Sequence, residues 1–273
     1  MRRLLVSVLF LSLAACAGGP GGRCCPPPCP PPCAPAGAGT ASAVVVSGTV
    51  TLTLATTEAA PQTGPAPVAA KLATAPALDS EDAGALWAAL LEGNARYRAG
   101  HAVHPHQDAA RRGAVATKQA PRVVVLTCAD SRVAPEVLFD QGMGDLFVVR
   151  IAGNVATPEV EASIEYAVEH LGSKLIVVMG HERCGAVGAA LEGGELPGHL
   201  PALIDRIKPA VEATPADDPD RANHAIATNA RLTAEALAAN GILKEAAEKH
   251  HVAVRAAVFD LDTGEVTEVP AAK

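Results

Sequence analysis

Two short stretches of the chain carry side chains suited to chemistry at a metal. In "LTCADSRVAPEVLF", residues 126–139, a thiol, a carboxylate and a guanidinium alternate at Cys128, Asp130 and Arg132, directly after an apolar run. In "GHERCG", an imidazole and a second thiol, His181 and Cys184, follow another apolar run. Two thiolates and one imidazole suit zinc. Three protein ligands leave the fourth tetrahedral position open, which marks a catalytic rather than a structural site. A structural site usually shows two close ligand pairs, whereas here one H-x2-C pair faces a single cysteine. Taken alone, a cysteine at a strand end packs more often than it ligates. His181 and Cys184 together on a glycine-flanked turn favour the metal.

Asp130 and Arg132 read two ways. One is an ordinary loop ion pair, with Ser131 or Asp130 capping the next helix. The other places Asp130 beside the metal, held by a forked pair of hydrogen bonds from Arg132. A centre of two thiolates and one imidazole has no net charge, so it acidifies water less than three imidazoles would. An extra acceptor is then useful. Released by Arg132, Asp130 would instead take the fourth position and shut the site.

For the two stretches to meet, the elements before them must end side by side. "RVVVLT" (122–127), "LFVVRIA" (146–152) and "KLIVVMG" (174–180) are apolar runs with the pattern of parallel strands covered on both faces. "SEDAGALWAALLEGNARYRAG" predicts a helix with Ser80 as N-cap, Leu86, Trp87, Leu90, Leu91 and Ala95 at helical spacing, and Gly100 at its end. "TPEVEASIEYAVEHLG" (157–172) predicts a second, with Pro158 in its first turn and Gly172 closing it. "RAAVFDLDTGEV" (255–266) predicts a strand, a turn and a second strand. The class expected is α/β: a mostly parallel central sheet flanked by helices, with an N-terminal helical arm. Ligand groups gather beyond the carboxyl ends of parallel strands, and right-handed crossovers bring Cys128 and His181 to one edge.

The 273 residues allow one sizeable core with appendages. A net charge of −7, with no basic block among the aromatics, argues against a nucleic-acid partner. With only four Phe, two Tyr and one Trp, the core must be aliphatic.

Residues 1–15 have the layout of a secretory signal, and "LAAC" (Leu13 to Cys16) resembles the bacterial lipobox. A short buried helix and a signal cut elsewhere are the alternatives. The expectation is an exported chain anchored to a membrane surface through lipid on Cys16. Ala17 after it resembles an outer-membrane destination, facing the periplasm. Residues 16–78 read as a tether. Cys24, Cys25, Cys29 and Cys33 in "CCPPPCPPPC" read as disulfide formers or a soft-metal trap, the former favoured outside the cytoplasm. Residues 79–273 form the expected catalytic domain.

From Leu86 to Val266 the chain resembles the β-class carbonic anhydrases. The likeness rests on "LLEGNARYRAG", "CADSRV", "FDQGMGDLFVVRIAGNV", "SIEYAVEHLG", "VVMGHERCGAV" and "FDLDTGEV". The resemblance implies one Zn2+ per chain on Cys128, His181 and Cys184, with Asp130 and Arg132 as the dyad and Asp130 a fourth ligand in a closed state. It implies self-assembly as a dimer or a larger assembly of dimers. Gln119, Phe147 and Tyr166 would line a narrow pocket across the dimer interface, although the two aromatics also fit an ordinary core. The implied reaction is reversible hydration of carbon dioxide to bicarbonate and a proton through zinc-bound hydroxide. His101, His104 and His106 read as surface histidines or as a proton relay. Some members carry a tryptophan three residues before the first zinc cysteine, as part of an inhibitory bicarbonate site. Val125 stands there, so that site is not expected. Two rival readings remain: a COS or CS2 hydrolase on the same scaffold, and a non-catalytic, lipid-anchored zinc-binding protein.

Overall fold

The structure is a computed structural model that describes residues 78–271. The signal segment, Cys16 and the cysteines at Cys24, Cys25, Cys29 and Cys33 lie outside the described residues, as does all of the tether except Leu78. At the centre stand β1 (Val123–Thr127) and β3 (Leu175–His181), buried at every position. β2 (Leu146–Arg150) pairs with β1, and β4 (Ala253–Phe259) with β3, all parallel; β5 (Val266–Val269) closes the order β2-β1-β3-β4-β5 as an antiparallel edge.

Side chains alternate across this sheet, and each face has its own helical layer. Val123, Val125, Leu175, Val177 and Met179 pack with Leu86, Trp87 and Leu90 of α1 (Ala83–Arg98). Val124, Leu126, Ile176 and Val178 pack with α4 (Pro158–Leu171), α7 (Arg221–Ala239) and α8 (Gly241–His250). Full burial of each such side chain stabilises the fold by about 1.5–3 kcal/mol. Continuous apolar runs suit strands covered on both sides. α5 (Gly185–Glu192) and α6 (Leu200–Glu212) pack with α7 in a third cluster that also holds Cys128 and Cys184.

Two expectations need correction. β2 has packing on both faces, Leu146 on one and Phe147 and Val149 on the other, but as the sheet's edge it is only half-buried and ends on exposed Arg150. The cap of α1 is Asp82, whose carboxylate accepts the Ala85 N–H, while the Ser80 hydroxyl accepts only from the N–H of Asp82 itself. A carboxylate nearer the first turn serves the free amides better.

α1 is locked against the segment after α3 (Pro135–Leu138), which follows the Cys128–Arg132 loop. A Cβ on Gly93 would stand 1.9 Å from the Phe139 carbonyl oxygen. Asp140, buried at φ 49°, accepts from Arg96 Nε at 2.6 Å and from the N–H groups of Val103 and His104. Burial pushes its carboxyl up, but Arg96 and the two amides outweigh that and hold it below the ordinary value.

Substitutions at Gly93 and Asp140 test this junction, with Gly113 as a control. Gly93→Ala loses about 2 kcal/mol in urea unfolding through overpacking, despite the gain in helix propensity. Gly113→Ala, in α2 (Ala109–Val115) with nothing within 4 Å of the added Cβ, gains about 0.5–1 kcal/mol. Asp140→Asn loses about 2 kcal/mol at pH 7. Because the folded carboxyl titrates below the unfolded one, its stabilisation is complete above about pH 4 and fades as pH falls through the lowered folded value. The gap between wild type and variant therefore closes in acid.

Candidate metal centre

β1 and β3 run parallel with Thr127 opposite Met179, and the Thr127 hydroxyl donates to the Met179 carbonyl at 2.9 Å. Cys128 leaves β1 one residue past that pair, and His181 ends β3 two residues past it. Cys184 follows as the N-cap residue of α5. One ligand atom from each of Cys128, His181 and Cys184 lies within 4.8 Å of the others, and all three residues are buried.

The donor set fits a metal ion. His181 is fully buried, and its Nδ1 meets the Glu182 carbonyl at 2.8 Å, so Nδ1 carries the proton. That leaves Nε2 as an acceptor, and it has no hydrogen-bond partner. A buried nitrogen without a partner is costly, and a cation shared with two sulfurs removes the cost. The two thiols share a hydrogen bond that favours ionisation of Cys128 over Cys184. The Cys184 thiol donates to Cys128 and the Gly153 N–H assists, so that despite burial the Cys128 thiol falls to about 4. The same bond, with burial, pushes the Cys184 thiol up.

Asp130 and Arg132 form the forked pair, at 2.9 Å from Nε to Oδ1 and 2.8 Å from Nη2 to Oδ2. The fork holds the Asp130 carboxyl far below the ordinary carboxylate range. Asp130 Oδ2 lies 3.9 Å from His181 Nε2, at the margin of the ligand group but not within it. The dyad therefore stands beside the three ligands with its carboxylate turned to arginine.

Several supporting residues went unassigned in the sequence reading. Arg150, at the carboxyl end of β2, donates from Nε to the Cys128 carbonyl at 3.1 Å and from Nη2 to the Asp130 carbonyl. Gly153 donates its N–H to Cys128 Sγ at 3.3 Å. Arg183, between the second pair of ligands, sits at φ 52°, a conformation that costs about 1–3 kcal/mol. A fork to Asp262 on the β4–β5 turn, at 2.8 and 2.9 Å, holds it there. Gly153 and Arg150 were detectable as a glycine and a cation at the carboxyl end of a strand. Asp262 had no local signal.

Gln119, Phe147 and Tyr166 are not part of this ligand group. Gln119 is exposed and lines a cavity of about 530 Å³ with His106, Arg111, Lys118 and Asp145. Phe147 is half-buried on β2, packed against the α4 face. Tyr166 is 48% exposed on α4, its ring 5.2 Å from that of His170. His101 and His104 are exposed, while His106 Nδ1 pairs with Asp145 at 2.8 Å.

Comparison with known proteins gives one answer. The family model described as carbonic anhydrase matches residues 123–266. The carbonic anhydrase of Mycolicibacterium smegmatis is 51% identical over 131 residues, covering 46% of this chain and 64% of that protein. Carbonic anhydrase 2 of Mycobacterium tuberculosis is also 51% identical, with 46% and 63% covered. The matched segment thus spans just under two thirds of either relative. Among solved structures, a tetrameric β-carbonic anhydrase of Sordaria macrospora superposes with a TM-score of 0.55 at 28% identity, over 69% of this chain and 98% of that one. The Coccomyxa β-carbonic anhydrase, in complex with acetazolamide, gives 0.56 at 29% identity, over 66% and 84%. With the family model matching residues 123–266, a span that holds all three ligand residues, the chain belongs to the carbonic anhydrase family and has the fold of its β class.

Proposed function

We propose that this chain is a zinc enzyme that reversibly hydrates carbon dioxide to bicarbonate and a proton. The observation that carries the reading is the partnerless, buried Nε2 of His181 among two buried sulfurs, beside a carboxylate clamped by arginine. The likeness to carbonic anhydrases supports it.

Cys128, His181 and Cys184 would hold one zinc ion per chain. Zinc, when bound, supplies the Lewis acidity that brings the pKa of a water molecule toward neutrality. Asp130 would act as acceptor: one carboxylate oxygen would take a hydrogen bond from the nucleophile and orient its lone pair toward the carbon. Arg132 keeps Asp130 ionised, so the carboxylate would orient the nucleophile as an acceptor, and the proton released when the water ionises would pass to bulk solvent. By occupying both carboxylate oxygens, the fork also holds Asp130 out of the ligand set. Released, Asp130 would become a fourth ligand and close the site.

Carbon dioxide is small and carries no charge, so its pocket must be narrow and largely apolar. We propose that Gln119, Phe147 and Tyr166 line that pocket in a second copy of the chain, with Gln119 Nε2 donating to a substrate oxygen. The exposure of Gln119 and Tyr166 in one chain supports a role across a dimer interface. The segment Leu13 to Cys16 supports export and a lipid anchor at Cys16 on the periplasmic face of the outer membrane.

The full chain, loaded with zinc, is expected to carry one ion per chain and to hydrate carbon dioxide in stopped flow. COS and CS2 turn over far more slowly; the reverse ranking rejects the assigned substrate. Cys128→Ser loses the metal and the activity together. Asp130→Asn keeps the metal and lowers kcat/KM by about 10- to 100-fold. Full activity in either variant contradicts the proposed roles.

A further inference from the structure

A buried amide on α7 stands one contact behind the sulfur of Cys128. Asn229 is 2% exposed, on the helix face that also buries Ala225, Ile226, Ala230 and Thr233. Its Nδ2 donates to the Gly153 carbonyl at 2.8 Å. Gly153 in turn donates its own N–H to Cys128 Sγ at 3.3 Å. Burying an amide on an otherwise apolar helix face is costly unless the hydrogen bond is made. A carbonyl pinned by a rigid helix is the compensation here.

Gly153 needs that pin. It lies in the left-handed region at φ 70° and ψ 17°, inside the single 3-10 turn Ala152–Asn154 that follows β2. Its backbone is tightly enclosed: a Cβ there would stand 2.6 Å from Ile207 Cδ1 and 3.2 Å from the Cβ of Ala186. Glycine has no intrinsic preference for the sign of φ. Neighbours therefore decide whether the N–H faces the sulfur, and Asn229 is the one that bonds the Gly153 carbonyl through its side chain.

We propose that Asn229 is a positioning residue for the metal centre: by holding the Gly153 carbonyl on α7, it aims the Gly153 N–H at Cys128 Sγ and so tunes the thiolate ligand. An N–H donated to a thiolate withdraws electron density from sulfur. In a centre whose two thiolates already cancel the ion's charge, that withdrawal preserves Lewis acidity at the metal. The inference rests on the reading of Cys128, His181 and Cys184 as metal ligands.

The test uses the full chain with cobalt(II) in place of zinc, because thiolate-to-cobalt charge transfer reports directly on sulfur. Asn229→Leu keeps the γ-branched shape and the heavy-atom count and removes the donor. In the folded variant the charge-transfer band moves to lower energy, zinc affinity by chelator competition falls about tenfold, and the Gly153 amide exchanges faster with solvent. Thr233→Val, one turn further along the same buried face, leaves all three readings at the wild-type values and controls for a general disturbance of α7. Where Asn229→Leu does not fold, Asn229→Asp keeps the shape, and its carboxylate cannot donate when ionised. An unmoved band with unchanged zinc affinity in a folded variant overturns the role of Asn229 and leaves the metal centre standing. A wild-type cobalt protein without any thiolate band overturns both.

Discussion

The parallel register of β1 on β3 is the constraint on which the site depends. Thr127 faces Met179, and that pairing places Cys128 and His181 at neighbouring positions on one edge of the sheet. A slip of one residue along either strand would turn its side chains to the opposite face. Cys128 and His181 would then point apart, and the layers that bury Val123, Val125, Leu175 and Val177 on one side would be exchanged with those of the other. The core and the metal group are therefore held by the same register. Every buried side chain in the two strands resists the slip that would scatter the ligands.

Around that register, left-handed backbone positions are each held by a specific partner. Arg183 is left-handed and forked to Asp262; Gly153 is left-handed, with its carbonyl bonded to Asn229. Asp140 is left-handed and bound by Arg96 and two backbone amides. The three sites sit near the ligand loops or the helix that backs them. Strain of about 1–3 kcal/mol at Arg183 and at Asp140 persists only where the surroundings fix the conformation, while Gly153 is unstrained but needs a partner to fix its orientation. Directed hydrogen bonds do that here more than apolar packing does.

Much of this was legible in the residues themselves. β1 and β3 announced themselves as β-branched apolar runs, and the ligand pair on its glycine-flanked turn was readable because metal chemistry restricts which side chains serve. β2 was misjudged because a half-buried edge strand of Leu, Phe and Val has the same local pattern as a fully buried one; only its missing neighbour distinguishes them. The cap of α1 was misplaced by two residues, since Ser80 and Asp82 are both good caps and the backbone geometry chooses between them. Asn229 could not be assigned from sequence at all. A lone amide in the apolar stripe of a helix acquires a meaning only from the carbonyl it meets, and that carbonyl lies 76 residues away.

The dyad shows why arginine rather than lysine is required at position 132. Its guanidinium bonds both oxygens of Asp130 and also reaches the Arg183 carbonyl at 3.3 Å. One side chain thus ties the loop bearing Cys128 to the loop bearing His181 and Cys184. An ammonium would supply the charge but not the planar fork that fixes the carboxylate's orientation. Arg132 is half exposed, so its charge alone, screened by solvent, would hold Asp130 weakly. Direction supplies what charge cannot: two parallel bonds set the plane of the carboxylate, and the third bond sets the guanidinium itself. Arg183 passes the restraint on to Asp262 and the β4–β5 turn. The edge of the sheet that carries the ligands is therefore bound across three successive loops by polar contacts, where an apolar core cannot reach.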